Sequence, residues 1–485
     1  MTLALAVRNL ARNRRRSLTT LAAIVVGAVA ILLFGGYTRN IRYGLQMGFV
    51  RSSGHLQIQH KDYFLYGSGN PAGYGITNYR HVMDLVRHDP VLAPMLTVVT
   101  PTLQLGGIAG NFAAGVSRTV IATGSDIDGQ NELRKWNDFG FEGTPGNLAL
   151  TGTAPNAAVV GEGVARVLQL CEPLHIRSCP APEGAATSAS RSAGSGLPPD
   201  IAALADAEVP QKLQDSPGAQ VPGTSQGIAP PSAVAGSPRI ELLAATARGA
   251  PNVASLAVIE ADTQAVKDLD DIYVALHLEQ AQRLVYAGDP PQVTSIIVQL
   301  HHTAQIPAAR ARLEQLLRTT LEDQPLEVQD YETLNPTYGQ TIGFFAAIFG
   351  FIAILIGVIV LFTVSNTMSM AVVERTPEIG TLRAIGVRRS GIRKMFMMEG
   401  ILLGLAGSVL GIIVALVLAF LINHGGITWT PPGRTDAVPL TVRVWGEPKP
   451  MLGVAIALTL VTVVSSWVPS RRGARTNIVS ALRHA

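Results

Sequence analysis

Apolar residues run almost unbroken in four places along this chain and alternate or scatter elsewhere. The runs cover residues 17–38, 341–366, 401–423 and 451–468. Crossing a hydrocarbon layer takes roughly 20 apolar residues, so each run predicts a transmembrane helix. None carries a charge at its centre, which argues against an ion or proton path through them. The stretch between the first two runs, 39–340, has a different texture. Residues 55–59 (HLQIQ) alternate, and 98–105 and 119–123 are rich in β-branched residues, all readings for strands. Residues 159–170 read as a helix, 295–300 (SIIVQL) as a strand and 308–320 as an amphipathic helix. The predicted fold class is a membrane protein with four transmembrane helices and a large α+β domain between spans 1 and 2.

Basic residues orient the spans. Arg8, Arg12, Arg14, Arg15 and Arg16 precede the first. Arg375, Arg383, Arg388, Arg389, Arg393 and Lys394 separate the second from the third, and Arg471, Arg472, Arg475 and Arg483 follow the fourth. Positive charge stays on the cytoplasmic side. Both termini and the 367–400 loop are therefore expected inside, with 39–340 and the short loop 424–450 in the periplasm. The leader, 1–16, places Leu3, Val7 and Leu10 on one helical face, which suits a helix lying on the inner membrane surface or a frayed basic leader. Its apolar continuation is too long for a signal peptide and lacks a cleavage site, so 17–38 reads as an uncleaved anchor. The tail is 469–485.

Composition agrees with a membrane anchor carrying a soluble part. The chain has 485 residues, 47% hydrophobic and 15% charged, with a net charge of +4 and a mean hydropathy of +0.28. The basic excess is arginine beside the apolar runs, so it speaks for topology and not for a nucleic-acid partner. From about 180 to 238 the sequence turns to Pro, Ala, Gly and Ser. Such a low-complexity insertion cannot bury a core. Cys171 and Cys179 stand at its mouth, and an oxidising compartment favours a disulfide between them over two free thiols.

Two patterns carry candidate function. Within 372–400, VVERTPEIGTLRAIGVRRSGIRKMFMMEG, Thr376 can cap a helix, Pro377 suits its first position and Glu378 favours the positive end of its dipole. Ile379, Leu382 and Ile385 then recur on one face. A short surface helix with one apolar face suits docking onto a cytoplasmic motor; an ordinary positive-inside loop carries the same charges. In the third run, Gly400, Gly404, Gly407 and Gly411 recur at spacings of three and four. They form a packing seam, either within the subunit or across a dimer. Enzyme signatures are missing: there is no G-x-x-x-x-G-K-[ST] phosphate loop, no H-E-x-x-H and no G-x-S-x-G. No catalytic residue and no metal site is predicted, and His55, His60, His301 and His302 read as surface or structural histidines.

The segment 370–404 closely resembles the signature around the cytoplasmic coupling helix of MacB/FtsX-type ABC transporter permeases. RNLARNRRRSLTT (8–20) and the tail VPSRRGARTNIVSALRHA resemble that family's ends. AVVGEGVARVLQL (158–170) resembles its recurring Gly-x-x-x-Ala-x-x-Leu helix, and DDIYVALHLEQAQRLV (270–285) a segment of the lipoprotein-releasing permeases. The 180–238 insertion and CEPLHIRSC depart from the pattern. The resemblance implies a permease that pairs with a second copy, as homodimer or heterodimer, and binds a separate cytoplasmic ABC ATPase. That ATPase holds the ATP and Mg; this chain needs no cofactor. Glu374, Arg375, Glu378, Ile379, Leu382 and Arg383 would then dock the motor. ATP hydrolysis would move the periplasmic domain (mechanotransmission) and extract or export a lipoprotein or other hydrophobic substrate, with a periplasmic carrier or adaptor, from the bacterial inner membrane. Alternatives are a subunit of a tripartite drug or toxin efflux pump and a non-transporting regulator of periplasmic cell-wall hydrolases.

Overall fold

The computed structural model describes residues 14–67, 69–141, 145–176, 237–264, 267–321, 324–430 and 437–475. Most of the leader, most of the low-complexity insertion, Cys179 and the last ten residues lie outside them.

The apolar runs are the centres of longer helices. Helix α1 (Arg14–Ser53) has 40 residues and rises about 60 Å, twice the hydrocarbon thickness. Its first half is the apolar run, and its second half carries on into the α+β domain. There Gly54, in the left-handed region at φ +72°, turns the chain into strand β1 (Leu56–His60). A Cβ at Gly54 would fall on the Ile297 side chain and Val298 backbone.

The α+β domain has two lobes joined by one strand. Helix α2 (Tyr79–His88) precedes β2 (Leu96–Asn111), which is 16 residues long. After it come β3 (Val116–Ser125), helix α3 (Ile127–Lys135), β4 (Ala157–Gly161) and helix α4 (Glu162–Val167). Beyond the insertion lie β5 (Arg239–Ala245), β6 (Pro251–Asp262), β7 (Tyr273–His277) and helix α5 (Leu278–Tyr286). Then follow β8 (Ser295–Leu300), helix α6 (Ile306–Thr320) and β9 (Leu326–Asp330). Strand order is β3-β7-β4-β6-β5-β2-β8-β1-β9, with β2 also paired to β3. That extra pairing closes β2, β3, β7, β4, β6 and β5 into a ring around one core, which includes Leu103, Val120, Val160, Leu242, Leu256 and Val274. Gly107 lets β5 approach, since a Cβ there would meet the Leu243 carbonyl. The first half of β2 pairs with β8, and β8 and β9 flank β1. Helices α2 and α6 contribute Val82, Val86, Leu313 and Leu317 to the core of that open sheet, beside Leu56, Ile58 and Val298.

Residues 159–170, expected as one helix, split. Ala157–Gly161 is a fully buried strand between β6 and β7, where its alanines and valines pack on both faces. The helix starts only at Glu162. Asp270 supplies its cap from a distant part of the chain: the fully buried carboxylate accepts from the backbone N–H of Glu162, Gly163 and Gln264. Helix N-termini leave such donors open, and a carboxylate there also meets the positive dipole end.

From β9 the chain turns through Asp330, whose side chain accepts from the Thr333 N–H, and enters helix α7 (Pro336–Glu374), 39 residues without a break. Helices α8 (Thr376–Ala384), α9 (Arg389–His424) and α10 (Pro448–Ala474) complete the chain. The expected 367–400 loop is thus largely helix, made of the end of α7, all of α8 and the start of α9. Strands β10 (Thr428–Trp429) and β11 (Val438–Pro439) pair between α9 and α10. In the bundle, α1 and α10 each pack on both α7 and α9. All four long helices are long and apolar enough to cross a membrane.

His55 sits where α1 meets the sheet. It is fully buried; its Nδ1 accepts from the Leu300 N–H at 3.0 Å, and its ring stands edge-on to Trp136. Burial pushes it down to about 4, whereas an unfolded histidine takes its proton near pH 6.5. Between those values the unfolded chain binds the extra proton, so stability present above pH 6.5 falls as the pH drops towards 4, by about 3 kcal/mol in all. Chemical unfolding of the whole protein in detergent should show that slope in wild type and a flatter one in His55→Gln. Asp270→Ala should cost about 3 kcal/mol, because three backbone donors lose a buried charged acceptor; a melting temperature equal to wild type would contradict the cap.

Candidate coupling site

The greasy face of α8 is turned inward. Ile379, 1% exposed, packs with Val372 of α7, with Ile392, Met395 and Phe396 of α9, and with Ala474 of α10; Leu382 lies against the same cluster. Three helices therefore meet under α8. Its start differs from the expectation. Thr376 is the first helical residue and caps nothing: its Oγ1 donates to the Val372 carbonyl of the preceding helix. Pro377 falls within the first turn. The C-terminus is fixed by Gly386 at φ +100°. The N–H groups of Gly386 and Val387 return to the carbonyls of Arg383 and Leu382, the double return of a Schellman motif.

Arg375 joins α7 to α8 and is buried. Its Nη1 lies 2.7 Å from Glu399 Oε1 on α9, with Arg375 5% and Glu399 2% exposed. Two charges leave water only when each finds the other. This pair clamps the α7–α8 junction to the helix that follows. Glu399 escaped sequence reasoning, although a lone carboxylate at the edge of an apolar run already calls for a cation nearby.

The predicted docking set divides accordingly. Glu374 and Glu378 are exposed, and Leu382 and Arg383 half-buried. Arg375 and Ile379 face the interior and cannot form part of a docking surface as they stand; they anchor α8 to the bundle. The exposed face includes residues the sequence did not single out. Thr381 and Ala384 are exposed, and Ile385, read as part of the apolar face, is 78% exposed. Glu378, Thr381 and Ile385 share one face at helical spacing.

The four glycines of α9 lie against the same chain. A Cβ at Gly400 would meet the Ser466 hydroxyl, and one at Gly404 the Thr462 hydroxyl, both on α10. At Gly407 and Gly411 it would meet Ile24 and Ala28 of α1. Their seam lets α9 approach two helices at backbone distance. On α10, Thr462, Ser465, Ser466 and Ser470 bond back to carbonyls of their own helix, which keeps their hydroxyls satisfied where water is excluded. Cys171 is disulfide-bonded, and its expected partner Cys179 lies outside the described residues. His301 and His302 fall just past β8, where His302 Nδ1 lies 2.7 Å from Asp138. No group of metal-ligating side chains occurs among the described residues.

Residues 344–478, which include α8, α9 and α10 entire with most of α7, match the FtsX-like permease C-terminal domain. This segment is similar to the MacB/FtsX-type ABC transporter permeases. The chain is 38% identical over 136 residues to the ABC transporter permease YtrF of Bacillus subtilis, covering 28% of this chain and 30% of that one. An uncharacterized ABC transporter permease of Methanocaldococcus jannaschii is 27% identical over 217 residues, 44% of this chain and 51% of its own. The macrolide export ATP-binding/permease protein MacB of Bordetella avium is 29% identical over 188 residues, 39% and 27% respectively. The chain thus spans between about a quarter and a half of the relatives it matches. The matched domain and the four apolar helices support a membrane-embedded transporter component.

Removing either member of the buried pair takes from the other the opposite charge 2.7 Å away. Arg375→Ala and Glu399→Ala should each cost about 3 kcal/mol, and the exchange Arg375→Glu with Glu399→Arg should regain part of the loss. Thermal melts of the purified protein check this; single variants as stable as wild type would exclude the clamp.

Proposed function

We propose that this chain is the permease subunit of an ABC transporter that converts ATP hydrolysis on a separate cytoplasmic subunit into movement of its periplasmic α+β domain. One observation carries the reading. Helices α1 and α7 run unbroken from the bundle into the domain, and they enter it as neighbours, because β1 and β9 are paired. At the far end α7 leads directly into α8, which is packed onto three of the long helices. A push on α8 therefore has a stiff route to the sheet. The arginine clusters favour a cytoplasmic α8 and a periplasmic domain.

In this reading two such subunits pair in the inner membrane, as homodimer or heterodimer, and two ATPase copies hold ATP and Mg. The substrate is a lipoprotein or another hydrophobic molecule, handed to a periplasmic carrier or adaptor. The similarity to MacB proteins, named for macrolide export, favours a second reading as an efflux pump subunit. Affinity purification from native membranes in mild detergent separates the two: an ATPase with lipoproteins or a soluble carrier supports extraction, and an ATPase with an adaptor and an outer-membrane channel supports efflux. Crosslinked material without any ATPase would overturn both.

Docking itself is tested on the exposed face. Glu378→Lys and Ile385→Asp should leave the melting temperature within the small range of surface substitutions. Each should lower ATPase retention by about tenfold or more, corresponding to ~1.4 kcal/mol or more of lost contact. Unchanged retention in both would move the docking site elsewhere.

A further inference from the structure

A cavity of about 550 Å³ opens between α1, α7 and α10 at the end nearest the α+β domain. That volume lies within the roughly 300–1,000 Å³ of small-molecule sites. Its walls are apolar, with Ile31 on α1, Phe345 and Phe349 on α7, and Val454 and Leu458 on α10. From Ile31 to Tyr43 helix α1 rises about 18 Å, and from Pro450 to Val461 helix α10 rises about 16 Å. One leaflet of hydrocarbon is about 15 Å deep, half of the ~30 Å core. The cavity is therefore about as deep as one leaflet.

Its rim is basic. Arg39, Arg42 and Arg443 line the mouth together with a single acid, Glu447. Among the described residues no carboxylate lies within ion-pair distance of these three guanidinium groups. Glu447 instead accepts from the Tyr43 hydroxyl at 3.5 Å. Arg443 is held in place: it donates to the Phe139 carbonyl and lies 4.2 Å from the centre of the Phe141 ring. Three guanidinium groups against one carboxylate, above an apolar slot of leaflet depth, describe the complement of an amphiphile with an anionic head.

We propose that this cavity binds an anionic phospholipid of the surrounding leaflet. Its acyl chain lies along Phe345 and Phe349, and its phosphate meets Arg39, Arg42 and Arg443. Charge-assisted bonds from guanidinium to phosphate are the strong ones. A zwitterionic head would bring its ammonium against three cations with one acid to receive it. The inference stands apart from the transport reading, because binding needs neither ATP nor the ATPase.

Native mass spectrometry of the full-length protein, given equal phosphatidylglycerol and phosphatidylcholine, tests it without nucleotide. Wild type should retain phosphatidylglycerol about tenfold in excess, ~1.4 kcal/mol of preference. Arg39→Gln with Arg42→Gln should abolish the preference, while Arg39→Lys with Arg42→Lys keeps most of it. Ala353→Trp, which fills the wall, should lower retention of both lipids at an unchanged melting temperature. Equal retention of the two lipids by wild type, a preference that survives the double glutamine variant, or lipid-free dimers would overturn the assignment.

Discussion

The structure depends on a backbone pairing made outside the apolar bundle. Strand β1 continues α1, strand β9 precedes α7, and the two strands are paired from Leu56 opposite Asp330 to His60 opposite Leu326. Two helices, each about 60 Å long, are thereby tied side by side at the edge of a sheet. Aromatic side chains reinforce the tie: Tyr338 meets Phe49 at 5.9 Å and Tyr331 at 5.5 Å between ring centres. Gln299 donates to the carbonyls of Val50 and Leu133, binding the end of α1 to the sheet and to α3. Closely packed interiors transmit displacement instead of absorbing it. Relative motion of α1 and α7 must then move the sheet lobe, or break a hydrogen-bonded ladder.

The opposite end of the bundle solves a complementary problem. A short helix at the end of a bundle can be firmly seated and still present a face. Helix α8 does both by facing Ile379 inward, clamping Arg375 to Glu399, and closing its last turn through Gly386. Between the two ends, the glycines of α9 bring it against α1 and α10. Small residues make close approach without the hydrophobic effect, which lipid tails do not supply. Rigid ends and a tightly seamed middle leave tilting of whole helices as the motion of least cost.

Much of this was legible in the chain because bilayers impose a simple code. Length and polarity located all four helices, and the α+β texture of 39–340 and the strand at 295–300 followed from side-chain periodicity. The misses share a cause, namely partners distant in sequence. Residues 157–161 are a strand because β6 and β7 flank them, which local pattern does not record. Asp270 caps α4 from more than 100 residues away. Arg375 looked like one of a row of loop arginines, and only the position of Glu399 turns it inward. Helix ends were misjudged because apolar runs mark where lipid is, and α1 and α7 continue well past it. The glycine spacing announced a seam without naming its partners, which are two helices of the same chain.

The basic cavity and the helix pairing share a wall. Arg39 and Arg42 lie on α1 beyond its apolar run, between the lipid-depth segment and the part that enters the domain, and Phe345 and Phe349 lie on α7. The same hollow is closed above by the loop before α10, where Arg443 holds the Phe139–Phe141 segment of the domain. Any tilt that separates α1 from α7 widens the hollow, and any tilt that closes them narrows it. A bound lipid would favour one of these arrangements by the difference in its affinity for the two and by no more. In the proposed reading, headgroup charge near the domain and force applied at α8 are two inputs to one geometric variable, the spacing of α1 and α7.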